Sequence, residues 1–311
     1  MSKYFDNKDL FLEPKVNQYG SHMVMTNVHK PNKVKYINID TKFSDEFNNG
    51  IFNEINDHTF TLPERLTNVK SIRVVSVELP MTFYNISASL GNNFFKVSYN
   101  STYKMLVLDN GNYTVSSLST AISNKISSLS LSHLSYTDVS GNDISGVYSN
   151  FTSDNQNASY TLNFDTDICG NFDKYNFRSK LGWLLGYRNQ SYAITHGTDT
   201  KSESFINLYG TKYVYLVVDE FNNGVQNTFI SPLYGSILNK KILARIAIDH
   251  PTFGTVLYSY ENLGSLISDT RYYSGGKIDI QKLNVQIVNE YGFPVNFNGC
   301  DFSFVLQVVF D

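Results

Sequence analysis

Six histidines are the side chains best placed to do acid/base or metal chemistry near neutral pH: His22, His29, His58, His133, His196 and His250. They are scattered, with no His-x-His or His-x-x-x-His pair to seat a metal ion, so each reads as a surface or loop histidine. Carboxylates pair in sequence at Asp45/Glu46 and Asp219/Glu220. General acid/base work needs two carboxyls about 5–10 Å apart in one cleft. Adjacent strand residues point to opposite faces, which keeps Asp219 and Glu220 apart on a regular strand. Nucleophile-elbow, phosphate-binding and dinucleotide-binding glycine motifs are all missing from the sequence. Cys169 and Cys300 sit in no Cys-x-x-Cys and read as two buried thiols acting as small hydrophobes. The chemistry-bearing residues therefore predict no enzyme, no cofactor and no metal site.

Binding residues are easier to find. The segment LGWLLGYRNQSY carries the only tryptophan, Trp183, with Tyr187, Arg188 and Tyr192 close behind it. Trp, Tyr and Arg dominate binding energy at protein interfaces, so these four are candidate subunit-interface residues. The same cluster also suits a hydrophobic plug beneath a sandwich. Phe5 and Phe11, isolated aromatics in a polar N-terminal stretch, are further candidates.

The rest of the composition suits a structural or binding protein. Tyr and Phe number 22 each, and charged residues make up only 17% against roughly 25% in an average globular chain. Tyr and Phe fit half-buried pleated surfaces, and Tyr fits interfaces where one end of the ring stays wet. Part of the Asn and Tyr content is equally explained by a compositional bias of the genome. The net charge of -3 gives no field to draw the chain to nucleic acid or anionic lipid. No segment approaches the ~20 apolar residues of a membrane span, and the N-terminus lacks a signal-peptide core, so the chain is expected in the cytosolic compartment or in something assembled there.

Residues 1–32 read as an extended arm. From Lys33 the sequence turns strand-like: VKYINID, then HTFTLPERL with Pro63 as terminator or edge residue, then a dense run from Asn68 to Ile86. In that run Val69, Ser71, Arg73, Val75, Val77 and Leu79 alternate with Ile72, Val74 and Ser76, as in a central strand. FFKVSY and TYKMLVLD predict a hairpin. Val115, Leu118, Ile122, Ile126 and Leu129 fall at helical spacing behind Asn112 or Thr114 as N-cap, and a second short helix is expected around Trp183. Strands return late: YVYLVVDEF, KILARIAI with Ile242, Ala244, Ile246 and Ile248 on one face, TVLYSYEN, and a C-terminal hairpin. Its last strand alternates Phe302, Phe304, Leu306, Val308 and Phe310. Strands early, helices mid-chain and strands late predict an all-β sandwich with helices in its connections.

Four stretches in order give a resemblance. VKYINIDTKF and then FTLPERLTNVKSIRVVSVELPMTFYNI resemble the opening of capsid proteins from nucleocytoplasmic large DNA viruses, through Ile39 to Phe43, Leu62, Pro63, Glu64, Asn68, Val69, Ser71, Glu78, Leu79, Pro80, Thr82 and Tyr84. GNYTVSSLSTAI is similar to the family's helix start at Gly111, Tyr113, Thr114 and Leu118. LLGYRNQSY followed by INLYGTKYVYLVVDEF is similar to a segment shared with penton-like proteins of virophages and related mobile elements.

The resemblance implies a single jelly roll, eight antiparallel strands in two facing sheets, over residues 33–311. The stretch from about Gly111 to Ser202 exceeds a minimal connection and is expected to be an inserted subdomain with one or two helices. By the same resemblance the chain is a virion protein, assembled in the host cell cytoplasm, with no catalytic residues to carry over. It would form homopentamers as the penton at icosahedral vertices of a large DNA virus capsid, beside the major capsid protein and other minor capsid proteins, with room for an inner viral membrane nearby. The alternatives are a minor or cement capsid protein tethered by its arm, and a lectin-like jelly-roll module whose loops SDEFNNG, SGND and DEFNNG would meet sugars.

Overall fold

The structure, a computed structural model, describes residues 32–48, 56–140, 146–157, 159–173, 177–222, 229, 241–249, 252–260, 265–273 and 276–310. β1 (Lys33–Asp40) leads through a 3-10 turn into the short helix α1 (Asp45–Asn48), and then into the 24-residue β2 (Asp57–Pro80). A second group of elements follows: β3 (Phe94–Tyr99), β4 (Thr102–Val107), α2 (Val115–Ser128), β5 (Leu134–Ser140), β6 (Val147–Ser153), β7 (Tyr160–Asn163), α3 (Leu181–Leu184), β8 (Ser191–Ile194) and β9 (Thr200–Lys201). The last group is β10 (Tyr213–Asp219), β11 (Ile242–Ala247), β12 (Val256–Tyr260), β13 (Leu266–Ser268), β14 (Arg271–Tyr272), β15 (Ile278–Asn289) and β16 (Ser303–Phe310). The fold is mostly β and antiparallel with few helices, consistent with the jelly roll that the resemblance implies.

The first and last groups share one nine-stranded sheet in the order β1-β16-β2-β15-β10-β11-β13, with β12 and β14 also on β2. β2 organises it. Its N-terminal half pairs with β15, while its C-terminal half pairs with β16 on one edge and with β14 and β12 on the other. Pro63, expected to end a strand, lies inside β2. The ladder to β15 shifts register between Thr61 and Leu66, so Pro63 stands in a bulge where no N–H is needed, and Gln281 donates its side-chain amide to the Leu62 carbonyl instead.

Two further register shifts, opposite Val309/Phe310 and Val305/Leu306, correct the strict alternation read from sequence. Each bulge flips the strand by one residue, so the buried set runs Val69, Ile72, Val74, Val77, Leu79. A shift between Leu216 and Val217 does the same to β11, putting Leu243 beside Ala244 and Ile246 in the main core and moving Ile242 to the opposite face. β16 keeps regular alternation, with Phe302, Phe304, Leu306 and Val308 all within the core.

The middle group builds a four-stranded sheet β4-β3-β7-β8 and a three-stranded sheet β5-β6-β9 around a separate hydrophobic cluster. That cluster draws on buried residues from Ile86 to Ile194, with Ile206 and Leu208 packed against it. α2 contributes Leu118, Ile122 and Ile126 and begins at Thr114, whose hydroxyl accepts from the Ser117 N–H at 3.2 Å while Ser117 Oγ accepts from the Thr114 N–H at 2.9 Å.

Candidate functional site

The Trp183 segment folds as one turn of helix followed by two tight approaches that only glycine allows. A Cβ on Gly182 would meet the Phe164 ring at 2.2 Å, and one on Gly186, at φ +93°, would meet the Ser204 carbonyl oxygen at 2.0 Å. These contacts draw the segment against β7 and the chain after β9. Tyr187 is fully buried there, stacked on Phe164 with ring centroids 5.1 Å apart, and its hydroxyl donates to the Thr200 carbonyl at 2.9 Å. Its whole side chain is spent inside the protomer, as in the plug reading of this segment.

Trp183, Arg188 and Tyr192 are half-buried and stay near the surface. The Arg188 guanidinium lies 4.1 Å from the Trp183 ring centroid and donates to the Trp183 and Tyr187 carbonyls at 3.0 and 3.1 Å. The Tyr192 hydroxyl donates to Glu203 at 2.6 Å and accepts from the Asn189 N–H at 2.8 Å. This knot presents a braced aromatic and cationic surface. Phe5 and Phe11 lie outside the described residues.

The carboxylate pairs are structural. Asp45 accepts from the Thr61 N–H and hydroxyl at 3.1 and 2.7 Å, and Glu46 accepts from the Thr59 N–H at 3.0 and 2.9 Å, so α1 covers the outward N–H groups along one edge of β2. Asp219 pairs with Lys241. Glu220 is buried and bonds Arg271 at 2.6 Å, while Arg271 also donates to the Val218 and Lys241 carbonyls at 2.8 Å each. Beside this pair Glu220 Oε1 and Tyr273 Oη have no hydrogen-bond partner.

His58 departs from its surface reading: it is buried against Phe302 at 5.9 Å, and burial lowers its pKa. Both cysteines are exposed rather than buried, because Cys169 and Cys300 fall in turns. Among the described residues no group of His, Cys, Asp or Glu could hold a metal ion, and no helix is long and apolar enough to cross a membrane.

Two features remain that sequence reasoning missed. The first is the outward face of β1, β16, the C-terminal half of β2, β12 and β14. Register puts Val34, Val309, Ser71 and Tyr272 in one row, with Tyr36, Gln307 and Arg73 in the next. Val305, Ser76 and Tyr260 share a further row, and Tyr258 stands opposite Glu78. Val34, Tyr36, Val256, Tyr258, Tyr260 and Tyr272 are between 44% and 72% exposed. The strand alternation in TVLYSYEN signals this face only if its outward tyrosines are read as deliberate. The second is a cleft of about 350 Å³ between the middle group and the large sheet, with Trp183 on its wall. No short motif announces it, because its lining comes from segments far apart in the chain.

No protein-family model matches the chain, and no curated protein matches it. Among solved structures it is similar to the selenomethionine-labelled mavirus penton protein, at 10% identity and a TM-score of 0.41, over 89% of this chain and 99% of that one.

Proposed function

We propose that the chain is a structural capsid protein, a single jelly-roll penton that assembles as a homopentamer at icosahedral vertices. The order of strand pairing supports the jelly roll. One sheet would be β1, β16, the C-terminal half of β2 and β12, and the facing one the N-terminal half of β2, β15, β10 and β11. β13 and β14 would then be short additions, and residues 81–212 an insertion with its own core, wider than the stretch expected from sequence.

The observation that carries the assembly reading is the tyrosine- and valine-rich outward sheet face. Exposed Val and Tyr side chains on β1, β12 and β14, flanking the small and polar residues of β2, mark a surface made to be covered. Cyclic assembly covers such side surfaces and leaves the ends of the sandwich free. The ordered sequence motifs supply the capsid family. Negative-stain electron microscopy of the purified protein tests the reading: rings with five-fold symmetry are expected, and single particles of one protomer at every concentration contradict it.

A further inference from the structure

The cleft beside Trp183 carries an inference independent of the assembly reading. Arg178, Trp183, Lys212, Tyr213, Asn289 and Glu290 are among the residues that line the cleft. Its volume, about 350 Å³, lies within the range of small-molecule sites and is far larger than a lone inorganic anion requires.

Asn85, Asn92, Asn207 and Tyr291 in its lining are hydrogen-bonded within the chain, which leaves two cations and one amide to meet a ligand. Among the described residues the Arg178 guanidinium meets no carboxylate and lies 5.5 Å from the Trp183 ring centroid, and the Lys212 ammonium forms no ion pair. Asn289 is only 3% exposed. Its Oδ1 accepts from the Tyr291 and Phe293 N–H groups at 3.0 and 2.9 Å, which fixes the amide plane and leaves the NH2 group as an unpartnered donor in the cleft wall. Glu290 is the one acid in the lining, with Oε2 buried and unpartnered. Burial raises its pKa, and the positive charge of Lys212 opposes that shift.

Two cations that outnumber the single acid Glu290, with a rigid amide donor, select a carboxylate and its neighbouring hydroxyls. The aromatic wall and the spare volume select a ring attached to them. We propose that this cleft binds an acidic monosaccharide unit, with its carboxylate toward Arg178 and Lys212 and its hydroxyls toward the Asn289 amide.

The test is saturation-transfer NMR and calorimetry on the full chain with N-acetylneuraminic acid, glucuronic acid, galactose and acetate as probes. One of the two acidic sugars is expected to bind at millimolar concentration, with galactose and acetate at least about tenfold weaker. Arg178→Gln and Lys212→Gln should each weaken it about tenfold, the loss of one charge-assisted hydrogen bond. Neither side chain carries an ion pair, so both variants should stay folded, with at most a small fall in melting temperature for Arg178→Gln from the lost contact with Trp183. Asn289→Asp keeps both acceptor bonds but turns the donor into a carboxylate oxygen, and should abolish binding. Absence of binding by both acidic sugars, affinities unchanged in all three variants, or acetate binding as well as the sugars would each overturn the proposal. The last would mark a bare anion site. Particle symmetry is read separately, so either conclusion can fail without the other.

Discussion

Leu306 and Phe304 show how much a single side chain holds. Both are buried where β16 crosses β2, so Leu306→Ala removes most of a core side chain at a site fixed by ladders on both sides. The expected cost is about 2–5 kcal/mol by urea denaturation, and a loss under about 1 kcal/mol would mean that β16 is peripheral. Buried phenols make the second residue-scale prediction. Burial pushes the Tyr136 hydroxyl up to about 12, against an ordinary value of 10.0, and pushes Tyr187 up as well. Above the ordinary value the unfolded chain releases these protons while the folded chain holds them. For Tyr136 the stabilisation is therefore full below about pH 10 and is lost as pH rises through about 12. For Tyr136 alone the loss at pH 12 is about 2 kcal/mol, and Tyr136→Phe should flatten that part of the pH profile. A profile equally steep in the variant would contradict this. At this scale the sequence was a good guide to β16, whose alternation is regular. It was a poor guide to His58, because burial of a polar side chain depends on partners such as Phe302 that lie far away in the chain.

β2 is the element on which the fold turns, and the one where local reading went furthest astray. Its apolar residues announce a central strand, but periodicity assumes an unbroken ladder, and four register shifts in the ladders to β15 and β16 set which residues face inward. Bulges are decided by the partner strands, so β2 alone carries no signal for them. The edge of its N-terminal half shows the reverse situation, where adjacent acids legible as Asp45/Glu46 act as a backbone cap and not as chemistry. Glu46→Ala strips the acceptor from the Thr59 N–H and should cost about 1–2 kcal/mol in a denaturation titration. The freed edge should also promote aggregation, followed by light scattering. Unchanged stability and solubility would show that water replaces the carboxylate without loss. Helix α2 was fully legible, since its cap, period and buried face are all local.

At the scale of the whole molecule, two hydrophobic cores divide the chain between a large antiparallel sheet and the elements that interrupt it between β2 and β10. An insertion was expected from the length of the connection. The second hydrophobic cluster also takes in residues of β3 and β4, which read locally like any other hairpin. The outward face with Tyr36, Tyr258, Tyr260 and Tyr272 became visible only when register aligned residues from opposite ends of the sequence. Whether that face is covered by copies of the same chain is the central claim. Native mass spectrometry of the purified protein across a range of concentrations tests it most directly. A homopentamer is expected, and Tyr258→Asp with Tyr272→Asp should return it to a folded monomer. A wild-type protein that stays monomeric throughout would contradict the penton reading and leave this face to another protein.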